Sequence, residues 1–251
     1  MEEILSQQIF AYMVVFTRVG AVLMVVPGIG DRTVPVRIRL LLALTIALTG
    51  GMTVFPQVPA LPDQPVELVR MIGGEAIIGL AIGLLVRIAF MALHVAGTVI
   101  SFQTSLAYAR NFDPTQGSQG SVIGSFLAIL GVTLVFVTNI HHMMIAAAVD
   151  SYNIFPLGGA VPVADLTSLA ISTVSSAFVV GIQLSAPFIV YGLVFYLAIG
   201  ILAKLIPQVQ IFFVAMPANI IAGFLILALL LSSLMMWFIA YYENFIMQFV
   251  G

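Results

Sequence analysis

Two stretches decide how this chain is read. Leu166 to Ala203 runs LTSLAISTVSSAFVVGIQLSAPFIVYGLVFYLAIGILA, and Leu205 to Tyr242 runs LIPQVQIFFVAMPANIIAGFLILALLLSSLMMWFIAYY, with Lys204 the only charge in the whole span. A water-soluble fold has no use for so long a run with one ionised group. A bilayer does, because a charged side chain at its centre costs at least about 2.5–3.5 kcal/mol. The chain is therefore read as an integral membrane protein. The two stretches are the arms of a helical hairpin whose tip is Lys204-Leu205-Ile206-Pro207-Gln208. Pro187 and Pro217 each remove a backbone hydrogen bond within an arm and invite a kink.

Composition extends this reading to all 251 residues, which are 62% hydrophobic and 7% charged with a mean hydropathy of +1.20. Soluble domains carry about 25% charged residues, so a soluble enzyme with an ordinary solvated surface is excluded. A net charge of −2 supplies no basic field for nucleic acid. The absence of cysteine excludes disulfides and thiolate metal sites. Met1-Glu2-Glu3 lacks the basic start of a secretory signal, so the first apolar stretch is expected to be retained.

Charges and Pro/Gly clusters divide the chain into six apolar segments, at 7–26, 40–55, 71–104, 121–149, 167–203 and 209–241. Each is near or above the ~20 residues of a spanning helix. The expected fold class is all-α: about six long apolar helices, some kinked by proline. The third and fifth segments exceed one crossing and must tilt, bend or leave the lipid. Asp165 before Leu166-Thr167-Ser168 suits a helix N-cap, and Pro65 suits the first turn of the helix it opens. Arg32, Arg37 and Arg39 lead a basic bias toward the odd-numbered loops, which predicts those loops on the cytoplasmic side and both termini outside.

Candidate chemistry is sparse. Gly28-Ile29-Gly30-Asp31 matches the Gly-x-Gly-Asp string of intramembrane aspartyl proteases, but that chemistry needs two carboxylates sharing a site, and no earlier helix carries an Asp. A turn at a helix end is the preferred reading. His141 and His142 are adjacent, so on a helix they point about 100° apart and form no chelating face. No catalytic, cofactor or metal residues are assigned. Arg18, Glu75 and Arg87 lie within or just inside apolar segments, where charges face protein or water and find partners. Glu75 and Arg87 are over three turns apart and cannot pair on one straight helix. Structural ion pairing is preferred over a proton path. Gly79 and Gly83, following Glu75 at four-residue steps, offer a small-residue face for close packing. The run Arg110-Asn111-Phe112-Asp113-Pro114-Thr115-Gln116-Gly117-Ser118-Gln119-Gly120 is polar and glycine-rich between apolar helices. It reads as an exposed loop or as an element lining or blocking a pore.

Taken in order, Arg18, Pro35-Val36-Arg37, Glu75-x3-Gly79-x3-Gly83, the Phe112-Asp113-Pro114 loop with Gly117 and Gly120, Lys204-x2-Pro207-Gln208 and Met216-Pro217 resemble the FliR family of flagellar export-gate proteins, similar in turn to the SctT family of virulence secretion. The resemblance covers essentially the whole chain. Lys204 stands where Arg is expected, and Val209-Gln210 where Leu-Asn is common. The resemblance implies a non-enzymatic subunit in the bacterial inner membrane, at the flagellar basal body. One copy would join FliP-type and FliQ-type subunits in a helical hetero-oligomeric pore, with an FlhB-type subunit around its entrance and unfolded flagellar proteins as substrates. It implies a FliP-like part over 1–165 and a FliQ-like hairpin over 166–251. A loop near 106–120 would plug the pore, mapping onto Arg110, Asn111, Phe112, Asp113, Pro114, Gly117 and Gly120. Arg18, Glu75 and Arg87 become candidates for buried charges at subunit contacts, and Lys204, Pro207 and Gln208 form the hairpin tip. The alternative is a small-molecule or ion secondary transporter using Glu75 and Arg87.

Overall fold

A computed structural model describes residues 2–109, 121–208 and 210–250, and the described residues are helical apart from turns and short connections. In chain order the helices are α1 (Glu2–Val25), α2 (Val36–Val54), a 3-10 turn (Phe55–Gln57), α3 (Pro65–Phe90), α4 (Ala92–Gln103), α5 (Leu106–Ala109), α6 (Val122–Val137), α7 (Ile140–Ile154), α8 (Val163–Leu205) and α9 (Ile211–Met247). The described residues of all six apolar segments are mainly helical. Among the described residues, four stretches are long and apolar enough to cross a membrane: Leu5–Val25, Pro65–Gln103, Val163–Leu205 and Val214–Met247. A fifth crossing would use α6 and α7 together, which are bent by 77° at the break between them.

Local chemistry explains most boundaries. Pro65 opens α3, where its missing N–H is not needed. Ser121 caps α6: its Oγ accepts a 3.0 Å hydrogen bond from the Gly124 N–H, satisfying an otherwise orphaned donor of the first turn. The α8 boundary differs from expectation. The helix begins at Val163, and Asp165 lies in its first turn rather than at the cap. Its carboxylate still favours the positive helix end. The segment at 121–149 is not one helix. Asn139 adopts a left-handed conformation, φ 63°, and turns the chain there. Asn tolerates this conformation better than most residues.

The chain forms two compact units. The first comprises Met1–Phe90, Val135–Val174 and Tyr242–Gly251; the second comprises Met91–Leu134 and Ser175–Tyr241. In the first unit α1 packs on α3, α2 and α7. Val14, Val15, Val19 and Val22 of α1 are buried, as are Ile78, Ile82, Leu85 and Val86 of α3. The α1–α3 crossing is close because of Gly79 and Gly83. A Cβ at Gly79 would stand 2.5 Å from the Arg18 carbonyl oxygen, and one at Gly83 would stand 3.0 Å from that of Val22. The small-residue face read from the sequence is thus a helix-crossing surface within the chain. In the second unit α4 crosses α6 at Gly97 and Gly124, whose backbones nearly touch. Gly181 of α8 and Gly223 of α9 likewise make room for Val95 of α4 and for Thr104 just after it.

Candidate functional site

Two polar clusters lie inside these apolar units. The first centres on Arg18. Its Nε donates to Glu75 Oε2 at 2.6 Å, with the two side chains 0% and 3% exposed. Its Nη1 donates to the Phe155 carbonyl at 2.9 Å and lies 3.4 Å from Ser151 Oγ. The guanidinium carbon sits 3.9 Å above the centre of the Tyr152 ring. Three helices therefore converge on one cation: α1 supplies Arg18, α3 supplies Glu75, α7 supplies Ser151 and Tyr152, and Phe155 just after α7 adds its carbonyl. This is the geometry that lets a buried charge persist, paired, hydrogen-bonded and stacked on an aromatic face. The structural ion pair preferred from the sequence is present, with Arg18 as the partner of Glu75.

Arg87 does not join this cluster and is not buried within this chain. Its side chain is 46% exposed. It donates from Nη1 to the Val25 carbonyl at 3.0 Å and lies 3.6 Å from Asp31. Position near the end of α3 explains this, because the helix stops at Phe90 and frees the guanidinium to reach the turn after α1. That turn is Gly28-Ile29-Gly30-Asp31. The Asp31 carboxylate accepts from the Gly28 N–H at 2.9 Å, and Gly28 has φ 83°, a conformation that favours glycine. The Gly-x-Gly-Asp string is a turn, as preferred. His141 and His142 stack loosely, ring centres 4.1 Å apart.

The second cluster ties the end of α4 to α8 and α9. Asn219 is fully buried. Its Nδ2 donates to the Gln103 carbonyl at 3.1 Å and to Ser105 Oγ at 2.7 Å, while its Oδ1 accepts from the Tyr191 hydroxyl at 2.7 Å. Ser105 Oγ is also 3.1 Å from the Tyr196 hydroxyl. Ser105 has φ 59°, so the backbone turns sharply where α4 ends. The cluster holds that turn through side chains of two other helices. Nearby, Ser121 Oγ donates to the Gly97 carbonyl at 2.9 Å and lies 2.6 Å from Ser101 Oγ. The chain therefore leaves α5 and re-enters at α6 from two points fixed to α4. None of these residues was singled out from the sequence. A lone Asn in the apolar run after Pro217 was the available signal, since intramembrane polar groups seek partners.

The loop residues Arg110, Asn111, Phe112, Asp113, Pro114, Gly117 and Gly120 lie outside the described residues. Lys204, in the last turn of α8, and Pro207 and Gln208, which follow α8, are exposed.

The family of bacterial export proteins, family 1, matches residues 9–245. The chain is 44% identical over 237 residues to the flagellar biosynthetic protein FliR of Caulobacter vibrioides, covering 94% of each. It is 30% identical over 220 residues to FliR of Escherichia coli (85% of this chain, 81% of the relative) and 28% over 226 residues to FliR of Bacillus subtilis (88% and 86%). The chain belongs to the FliR family of bacterial export proteins. FliR-family membership spans both polar clusters, since the matched residues run from before Arg18 to beyond Asn219. It also spans α8 and all but the last two residues of α9.

Proposed function

We propose that this chain is a non-enzymatic subunit of the flagellar type III protein export gate in the bacterial inner membrane, at the flagellar basal body. One copy closes a pore built with FliP-type and FliQ-type subunits, next to an FlhB-type subunit. Unfolded flagellar proteins pass through that pore. Residues 1–165 act as a FliP-like part and 166–251 as a FliQ-like hairpin. Beyond the family, one observation carries this reading. The hairpin arms are strongly apolar yet mostly open: over an 18-residue apolar window in each, Val163–Leu205 and Val214–Met247 are 11% and 22% buried within the chain, against 50% and 56% for Leu5–Val25 and Pro65–Gln103. Arms this open suit an assembly whose members bury one another. Arg87, exposed beside Asp31, and the tip residues Lys204, Pro207 and Gln208 are candidates for contacts between subunits. Arg18 and Glu75 act one step behind such contacts, by fixing the α1–α3–α7 packing.

The segment 110–120 is the plug, with Phe112 as apolar bulk against the channel wall. The Asn219 cluster and the Ser121 cap support this assignment, because they anchor the two ends from which the segment departs. Deleting 110–120 should leave assembly largely intact and make the membrane leaky to ions or small molecules. A correctly assembled deletion with an intact barrier would overturn the plug assignment. The transporter alternative finds less support, because Glu75 is bonded to Arg18 and Arg87 is engaged at the Asp31 turn.

A further inference from the structure

Four of the eight basic residues meet at one corner of the first unit. Arg32 follows the Gly28–Asp31 turn, Arg37 and Arg39 stand in the first turn of α2, and Arg87 reaches the turn from α3. Asp31 is the only carboxylate in the turn. Its carboxylate is occupied by the Gly28 N–H and Arg87. Arg39 donates from Nη1 to the Gly30 carbonyl at 3.2 Å, while its Nε is buried without a partner. Arg32 and Arg37 are exposed. Among the described residues, the Arg32, Arg37 and Arg39 guanidinium groups have no counter-ion.

Immediately beyond Arg39 the chain has no charge until Asp63. In that stretch α2 turns its small residues inward, with Ala43 and Ala47 at most 1% exposed, and leaves Leu41, Leu44 and Leu48 exposed at 64%, 45% and 43%. These leucines follow three- and four-residue steps, so they form one stripe along the helix. The stripe runs about 10 Å at 1.5 Å per residue, within the ~15 Å depth of one leaflet. Positive charge at one end and an open apolar stripe below it match the two ends of an anionic phospholipid. An acidic protein segment would satisfy the arginines without using the leucines.

We propose that the α1–α2 corner binds an anionic phospholipid, its phosphate headgroup against Arg32, Arg37 and Arg39 and its acyl chains along Leu41, Leu44 and Leu48. Each arginine near a membrane surface strengthens anionic-lipid binding by about five-fold. The test uses the full chain, purified in detergent with whatever subunits accompany it. Palmitoyl-oleoyl phosphatidylglycerol and phosphatidylcholine are titrated separately, and lipid adducts are counted by native mass spectrometry. The wild type should retain phosphatidylglycerol preferentially, and inorganic phosphate should not displace it. The double variant Arg32→Gln, Arg37→Gln should weaken that retention by about 30-fold. Arg70→Gln, an exposed arginine near the opposite end of α3, should leave it unchanged. Both variants remove exposed side chains, so recovery of the folded complex is expected and is checked by its elution. Three results would each overturn the proposal: equal retention of the two lipids, undiminished retention by the double variant, or displacement by phosphate alone. Loss of an accompanying subunit from the double variant, with lipid retention unchanged, would assign the corner to an acidic protein partner instead.

Discussion

Removing Glu75 while leaving Arg18 in place should destabilise the first unit severely. Breaking one side of a buried ion pair costs about 3–5 kcal/mol, because the remaining charge is uncompensated. Arg18 would keep its 2.9 Å bond to the Phe155 carbonyl and its position over the Tyr152 ring, so the lower end applies, about 3 kcal/mol for Glu75→Leu. For a chain of this size that is about 6–12 °C in thermal midpoint. The converse is the sharper half of the prediction. Replacing a buried pair by apolar residues of similar volume is often neutral or stabilising. The double variant Arg18→Met, Glu75→Leu should therefore recover most of the loss, short of about 1 kcal/mol for the Phe155 carbonyl left without its donor. Thermal unfolding in one detergent, followed by tryptophan fluorescence or proteolytic protection, compares the three proteins. Wild-type stability in Glu75→Leu would refute the reasoning. So would a double variant no better than the single one, which would mean that Arg18 is not stranded when its partner goes.

Further outcomes follow from the same packing. Gly79→Leu drives side-chain atoms into the Arg18 backbone and should cost at least about 1–3 kcal/mol, whereas Gly73→Ala, with nothing within 4 Å of the added methyl, should be neutral or stabilise the protein by up to about 1 kcal/mol in the same melt. Asn139→Gly should be tolerated, because φ 63° suits glycine, while Asn139→Val should lower stability by about 1–2 kcal/mol. Asn219→Leu removes three interhelical hydrogen bonds and should reduce stability by roughly 1–2 kcal/mol, with a matching loss of flagellar protein secretion measured in culture medium. Unchanged stability in Asn219→Leu would show that the cluster contributes nothing to holding α4.

The two long helices α8 and α9 were legible because one charge in so long an apolar run admits few other folds. The Gly28–Asp31 turn and the Gly79–Gly83 face were legible because each rests on residues close in sequence. The partner of Glu75 was half legible: a carboxylate inside an apolar segment must find a cation, but choosing Arg18, 57 residues away, needs the α1–α3 crossing. The exposure of Arg87 within the chain was not legible, because it depends on where α3 stops, and Phe90-Met91-Ala92 carries no Gly or Pro to mark that point. Asn139 and Ser105 were missed for a related reason. Single polar residues in left-handed conformations bend a helix as effectively as glycine, yet the apolar pattern runs on around them. The Asn219 cluster joins residues up to 116 positions apart and leaves no local trace.

The central claim, one copy of this chain within a larger export gate, is tested most directly by native mass spectrometry of the complex extracted in mild detergent, with this chain tagged and its genomic neighbours co-expressed. The account predicts a single copy of this chain together with several FliP-type and FliQ-type subunits. A lone chain or a homodimer, under conditions that preserve other membrane complexes, would contradict it and bring the transporter reading, with Glu75, to the front.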